Sequence, residues 1–96
     1  MRIDKVLQER GGNYGSFKDN SETVQALKQI MELSGRWSML PSVHREALHM
    51  IAHKIGRILH GDPYYKDSFV DIIGYTQLVI NYIEQLEKEV DDAPFN

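Results

Sequence analysis

The sequence predicts an all-α protein, a compact four-helix arrangement in a single domain. Apolar residues recur at three- and four-residue spacing in four segments. Strong stops separate the later segments, Ser34-Gly35 and then Gly61-Asp62-Pro63, where glycine leaves the helix and proline cannot continue it. No stretch carries a convincing strand pattern. The chain has 96 residues, and a domain of that size buries only roughly 60–70% of the surface its unfolded chain exposes. Self-association is therefore an expected supplement to stability. Residues 1–90 are read as one helical domain and 91–96 as a flexible acidic tail.

The first helix is expected over residues 2–9, with Ile3, Val6 and Leu7 on one face, ending at Gly11-Gly12. Residues 10–20 read as a loop, because three glycines and two asparagines do not favour a helix. Asn20 or Ser21 would cap the second helix, whose buried stripe is Val24, Leu27, Ile30 and Met31. A connector over 36–41 supplies two apolar anchors, Trp37 and Leu40. Ser42 would cap a third helix of about 43–60, with Leu48, Ile51, Ile55, Ile58 and Leu59 as its apolar positions. Asp67 would cap the last helix, and Ser68 with Asp71 resembles a capping box. From Phe69 to Ile83 that helix is apolar nearly all round, the mark of a central helix or of a subunit interface.

Composition excludes several classes. There is no cysteine, hence no disulfide framework and no thiolate metal site, which fits a reducing cytoplasm. No apolar run approaches the ~20 residues a membrane helix needs, and Met1-Arg2-Ile3-Asp4-Lys5 is no secretion signal. A net charge of −3 argues against general or sequence-specific nucleic-acid binding. Charge is unevenly placed, however. All four histidines lie between residues 44 and 60 together with Arg45, Lys54 and Arg57, whereas Glu84, Glu87, Glu89, Asp91 and Asp92 crowd the C-terminal end.

Charges inside apolar helices are the main candidates for function. Lys54 and Arg57 stand one turn apart on the third helix, and Asp67 and Asp71 one turn apart on the fourth. A buried charge is costly unless paired or used. These four residues either clamp two helices by ion pairs, or form a polar pocket in which Lys54 and Arg57 hold phosphate oxygens and an aspartate holds a ribose hydroxyl, a base edge or a divalent ion. His49 and His53 have the spacing at which two imidazoles share a metal, but no third ligand is evident and cations surround them. Arg10, next to the Gly-Gly-Asn-Tyr-Gly stretch, adds a further phosphate candidate, although that stretch is not a Walker loop. Nothing supports nucleophilic catalysis, since no serine sits in a Gly-x-Ser-x-Gly elbow.

Three blocks, Glu9-Arg-Gly-Gly-Asn-Tyr-Gly-Ser-Phe-Lys-Asp-Asn20, His53-Lys-Ile-Gly-Arg-Ile-Leu59 and Lys66-Asp-Ser-Phe-Val-Asp-Ile-Ile-Gly-Tyr75, resemble a family of short phage and prophage proteins. The positions carrying the resemblance are Arg10, Tyr14, Gly15, Lys54, Arg57, Asp67, Ser68, Asp71, Gly74 and Tyr75. More distantly, the helical hairpin with its Asp-Ile block is similar to the all-α MazG-like nucleoside triphosphate pyrophosphohydrolases, which hold magnesium with Glu-x-x-Glu and Glu-x-x-Asp pairs. Asp71 matches the final aspartate, but the 43–60 helix has no Glu-x-x-Glu, and Ser68 stands where a glutamate would be. That resemblance implies a MazG-like hairpin, an oligomer and a nucleotide ligand, while the loss of carboxylates argues against magnesium-dependent hydrolysis.

The resulting expectation is a cytoplasmic, phage-encoded homo-oligomer that binds a phosphorylated nucleotide without a cofactor. Arg10, Tyr14, Gly15, Lys54, Arg57, Asp67, Asp71 and Tyr75 form its candidate ligand site. One alternative is a pyrophosphohydrolase needing Mg²⁺, with Glu46, Asp67 and Asp71 as a reduced metal set. Another is a protein–protein interaction module that inhibits a host factor.

Overall fold

A computed structural model describes residues 2–92; the last four residues of the expected tail lie outside the described residues. The fold is all-α, with four α-helices and no strand among the described residues: α1 (Arg2–Tyr14), α2 (Phe17–Glu32), α3 (Ser42–His60) and α4 (Lys66–Asp92). One 3₁₀ turn, Trp37–Met39, links α2 to α3. α3 is the hub, packing against α4 on one side and α2 on another, while α1 meets it only at one end. None of the described helices is long and apolar enough to cross a membrane.

The expected loop over 10–20 is instead the end of α1 and the start of α2. α1 runs through Gly11 and Gly12 to Tyr14, with the Gly15 amide donating to the Gly11 carbonyl at 2.9 Å. The chain breaks at Gly15, whose φ is +82°. Only glycine adopts that left-handed region without strain. A side chain there would also meet the carbonyl of His60. Ser16, not Asn20 or Ser21, caps α2, its hydroxyl accepting from the Asp19 amide at 3.1 Å. At α3 the cap position is Pro41, with Ser42 already helical and no side-chain cap. Asp67 lies inside the first turn of α4 rather than capping it, where its charge suits the helix dipole. Asp71 reaches across to α3 instead of forming a capping box. Asp91 and Asp92, assigned to the tail, continue α4.

The core is thin. Its buried apolar side chains are Val24, Ala47 and Ala52. Small residues on α3 let the helices approach closely: a Cβ at Gly56 would stand 2.9 Å from Val24 Cγ2. Ile30, expected in the buried stripe of α2, is exposed, as are Leu48 and Leu59 of α3. α4 is not central, since eight of its large apolar side chains are exposed: Phe69, Val70, Ile73, Leu78, Ile80, Ile83, Leu86 and Val90. The body measures 64 × 27 × 24 Å and has a radius of gyration of 17.5 Å, against about 12 Å for a globule of this length. Lys54–Asp71 and His44–Tyr82 contacts set the α3/α4 register. The last turns of α4 therefore run past the start of α3, and residues 84–91 are all exposed.

Candidate functional site

Tyr14 and Gly15 end α1 against the C-terminus of α3. The Asp62 amide donates to the Asn13 carbonyl at 3.0 Å, and Asn20 Nδ2 donates to the Tyr14 carbonyl at 2.7 Å. Gly61 fits against Asn13 and Tyr14 because it has no side chain. The Tyr14 ring meets Tyr65 edge-on at 5.4 Å and carries the Arg57 guanidinium 4.5 Å from its centroid. Hydrogen bonds with Tyr14 and with the Asp67 carboxylate push the Tyr65 hydroxyl up to about 12. His60 Nε2 and Thr23 Oγ1, 2.6 Å apart, tie α2 to the same corner. Much of the first and last sequence blocks thus builds one joint between the α1/α2 turn, the end of α3 and the start of α4.

The four helical charges divide. Lys54 is 7% exposed, and its Nζ sits 2.8 Å from Asp71 Oδ2. That ion pair joins α3 to α4. Arg57 lies over the Tyr14 ring. Lys54 is thereby neutralised, whereas Arg57 keeps its N–H edges available, because a stacked guanidinium still offers its fork.

Arg57 also lines a recess of about 170 Å³ between α2 and α3. Asn20, Ser21 and Gln25 line it from α2, His53 and Arg57 from α3, with the exposed Phe17 at its mouth. Asn20 Oδ1 is buried beside Gly56 with no hydrogen-bond partner. Partial burial, and then the charges of Lys28, Arg57, His49 and Lys54, lower the His53 pKa below 6.5. The recess is therefore a region of positive potential made by groups from both helices. A larger, open concavity of about 740 Å³ runs along α2 beside Glu22, Lys28, Glu32 and His49. Its two carboxylates make it a poorer anion site.

The remaining expected residues lie elsewhere. Arg10 is exposed on α1 and does not line the recess. Tyr75 faces Val43, Ala47 and Leu78 on the far side of the α3/α4 hairpin, where Glu46 also lies. Glu46, Asp67 and Asp71 are not assembled: Asp71 binds Lys54 and Asp67 binds Tyr65. Among the described residues no three His, Asp or Glu side chains group to hold a metal ion. His49 leaves His53 for Glu32, its Nε2 3.2 Å from the carboxylate without hydrogen-bond alignment, and stacks near Trp37 at 5.0 Å. Sequence reasoning missed Asn20, Ser21, Gln25 and Lys28. Their three- and four-residue spacing on α2 was the available signal, hidden by placing Asn20 and Ser21 at a cap.

No protein-family model, curated protein or solved structure matches the chain.

His53 gives the corner a defined pH response. Its folded pKa lies below 6.5, so below that value the unfolded chain binds more protons than the folded one. The stability contribution of His53 is constant above pH 6.5 and falls as pH drops toward the lowered folded value. Thermal midpoints between pH 8 and pH 5.5 should decline more steeply in wild type than in His53→Gln. Parallel curves would show that His53 feels no net positive field.

Proposed function

We propose that the chain is a phage-encoded binder of a phosphorylated nucleotide, held in the α2–α3 recess. The observation that carries this reading is the convergence, on one recess, of Arg57 and His53 with the polar residues Asn20, Ser21 and Gln25. Arg57, pinned by the Tyr14 ring, offers a planar fork to phosphate oxygens. His53 adds a donor whose protonation an arriving anion favours. Ser21 and Gln25, on the same wall, offer a hydroxyl and an amide to a sugar. The recess is smaller than the ~300 Å³ of an ordinary ligand pocket, so it takes the phosphate and sugar edge and leaves the base outside. There the Phe17 ring, 88% exposed, is a stacking surface.

This reading moves the site from Lys54/Asp71, which serve as a clamp, to the α2 side of α3. Its phage origin rests on the resemblance of the three sequence blocks, and it would serve nucleotide-pool control or the sequestration of a nucleotide signal used in host defence. Self-association through the exposed apolar side of α4 belongs to the same reading. Calorimetry against nucleoside mono-, di- and triphosphates and cyclic dinucleotides is the test. At least one should bind wild type, and Arg57→Ala should weaken that binding about tenfold or more, as loss of a charge-assisted hydrogen bond requires. The absence of binding across the panel refutes the reading.

A further inference from the structure

α4 carries two seams with the four- and three-residue alternation of a coiled coil. The inner one, Ser68, Ile72, Tyr75, Val79 and Tyr82, is buried or half-buried along the α3 side. The outer one, Phe69, Ile73, Thr76, Ile80, Ile83, Glu87 and Val90, lies about a third of a turn round the helix and is exposed throughout, Ile73 at 68% and Val90 at 74%. A helix in water that needs only one partner has no use for a second such stripe. Beside the outer seam runs a groove of about 190 Å³ between α3 and α4, lined by Leu48, Ile51, Thr76, Val79 and Ile80. Its wall is almost wholly apolar, and an apolar space of this size accepts one large aliphatic or aromatic group.

Charge selects what covers the seam. Its spacing places Lys66 one step before Phe69 at one end and Glu87 one step before Val90 at the other. A second copy laid parallel would set Glu87 against Glu87 and Lys66 against Lys66. Laid antiparallel, it brings each Lys66 within a turn of the partner's Glu87, and it opposes the two helix dipoles. The acidic turns that overrun α3, with Glu87, Glu89 and Asp91, then lie beside the other copy's Lys66 end.

We infer that two copies of this chain pair antiparallel along the outer seam of α4, about a two-fold axis near Leu78. In this register Ile73 packs against the partner's Ile83, and each Ile80 enters the other copy's groove beside the partner's Thr76. The contact is isologous, so it closes at two copies, and the two α3/α4 hairpins form a four-helix bundle. The inference deepens the self-association proposed above and does not depend on nucleotide binding.

Light scattering on the full chain, without nucleotide, measures it. At tens of micromolar the expected mass is twice 11.1 kDa, and Ile80→Glu should halve it while the circular dichroism stays helical. Lys66 and Glu87 are exposed, so reversing either leaves each copy folded. Lys66→Glu and Glu87→Lys should each weaken dimerisation about fivefold, and the double variant should restore it. A monomeric wild type overturns the inference, as does a double variant no tighter than the singles. A wild type that stays monomeric yet binds vesicles or another protein through this face also overturns it, by naming another occupant. Because no nucleotide is present, this result and the calorimetric one succeed or fail separately.

Discussion

Replacing Asp71 with alanine should destabilise the fold by about 2–3 kcal/mol, among the largest effects of any charge substitution in the chain. The variant strands the Lys54 ammonium, which is 7% exposed, without its carboxylate. Removing one partner of a buried pair costs about 3–5 kcal/mol. The Asp71 side chain is 45% exposed, so water reaches the gap and trims that figure. Lys54→Met removes the charge that needs a partner and should cost less than about 1 kcal/mol, because a similar apolar volume packs without a desolvated ion. In the double variant most of the Asp71→Ala loss should disappear. Urea unfolding at fixed protein concentration measures all three, and unchanged slopes would confirm that the folded state is the one affected. If Asp71→Ala costs nothing, the pair is not a clamp and Lys54 returns as a ligand candidate. Arg57→Ala should show the opposite pattern, losing nucleotide more than stability, since its ring contact is a partly exposed one.

Gly15→Ala should cost about 3 kcal/mol or more. A non-glycine residue at φ +82° costs roughly 1–2 kcal/mol by itself. The added methyl also collides with the His60 carbonyl, so the α1/α2 turn must lift from the end of α3. That movement pulls on the Asn13–Asp62 and Thr23–His60 links together. Gly11→Ala is the matched control. Nothing lies within 4 Å of a Cβ there, and the helix continues through it, so alanine should stabilise by up to about 1 kcal/mol. Thermal unfolding of the two variants should move in opposite directions. If both move together, the turn is not seated as described.

That pair of glycines shows where sequence reading stops. The fold class, the helix count and the stop at Gly61 were legible, because helical periodicity and proline are local signals. Which of Gly11, Gly12 and Gly15 breaks the chain was not, since all three permit it and the choice is made by contact with His60, distant in sequence. The Ser16 cap is equally hidden in the sequence, because the glycines and asparagines of 10–20 favour a loop and point to Asn20 or Ser21 as the helix start. Spacing on two helices joined by a short turn offered an ion-pair clamp or a ligand pocket for Lys54, Arg57, Asp67 and Asp71, and did not say that Lys54 would pair with Asp71. Arg57 could not be assigned, because its partner Tyr14 sits on an element whose position only the folded corner defines. The exposure of α4 is the third lesson. Its apolar pattern offered a core or an interface, and the structure places most of those side chains outside the single chain's core.

The thin core of Val24, Ala47 and Ala52 also sets the temperature response. The heat-capacity change of unfolding grows with the apolar surface released, about 12–15 cal/mol/K per residue in ordinary domains. A lone copy that leaves 19 large apolar side chains exposed among the described residues has less to release and should fall toward the low end of that range. Its unfolding enthalpy therefore varies slowly with temperature, and its stability curve is shallow and broad. If two copies pair along α4 as inferred above, the added apolar burial should restore curvature, so the curvature of the stability curve would report the pairing.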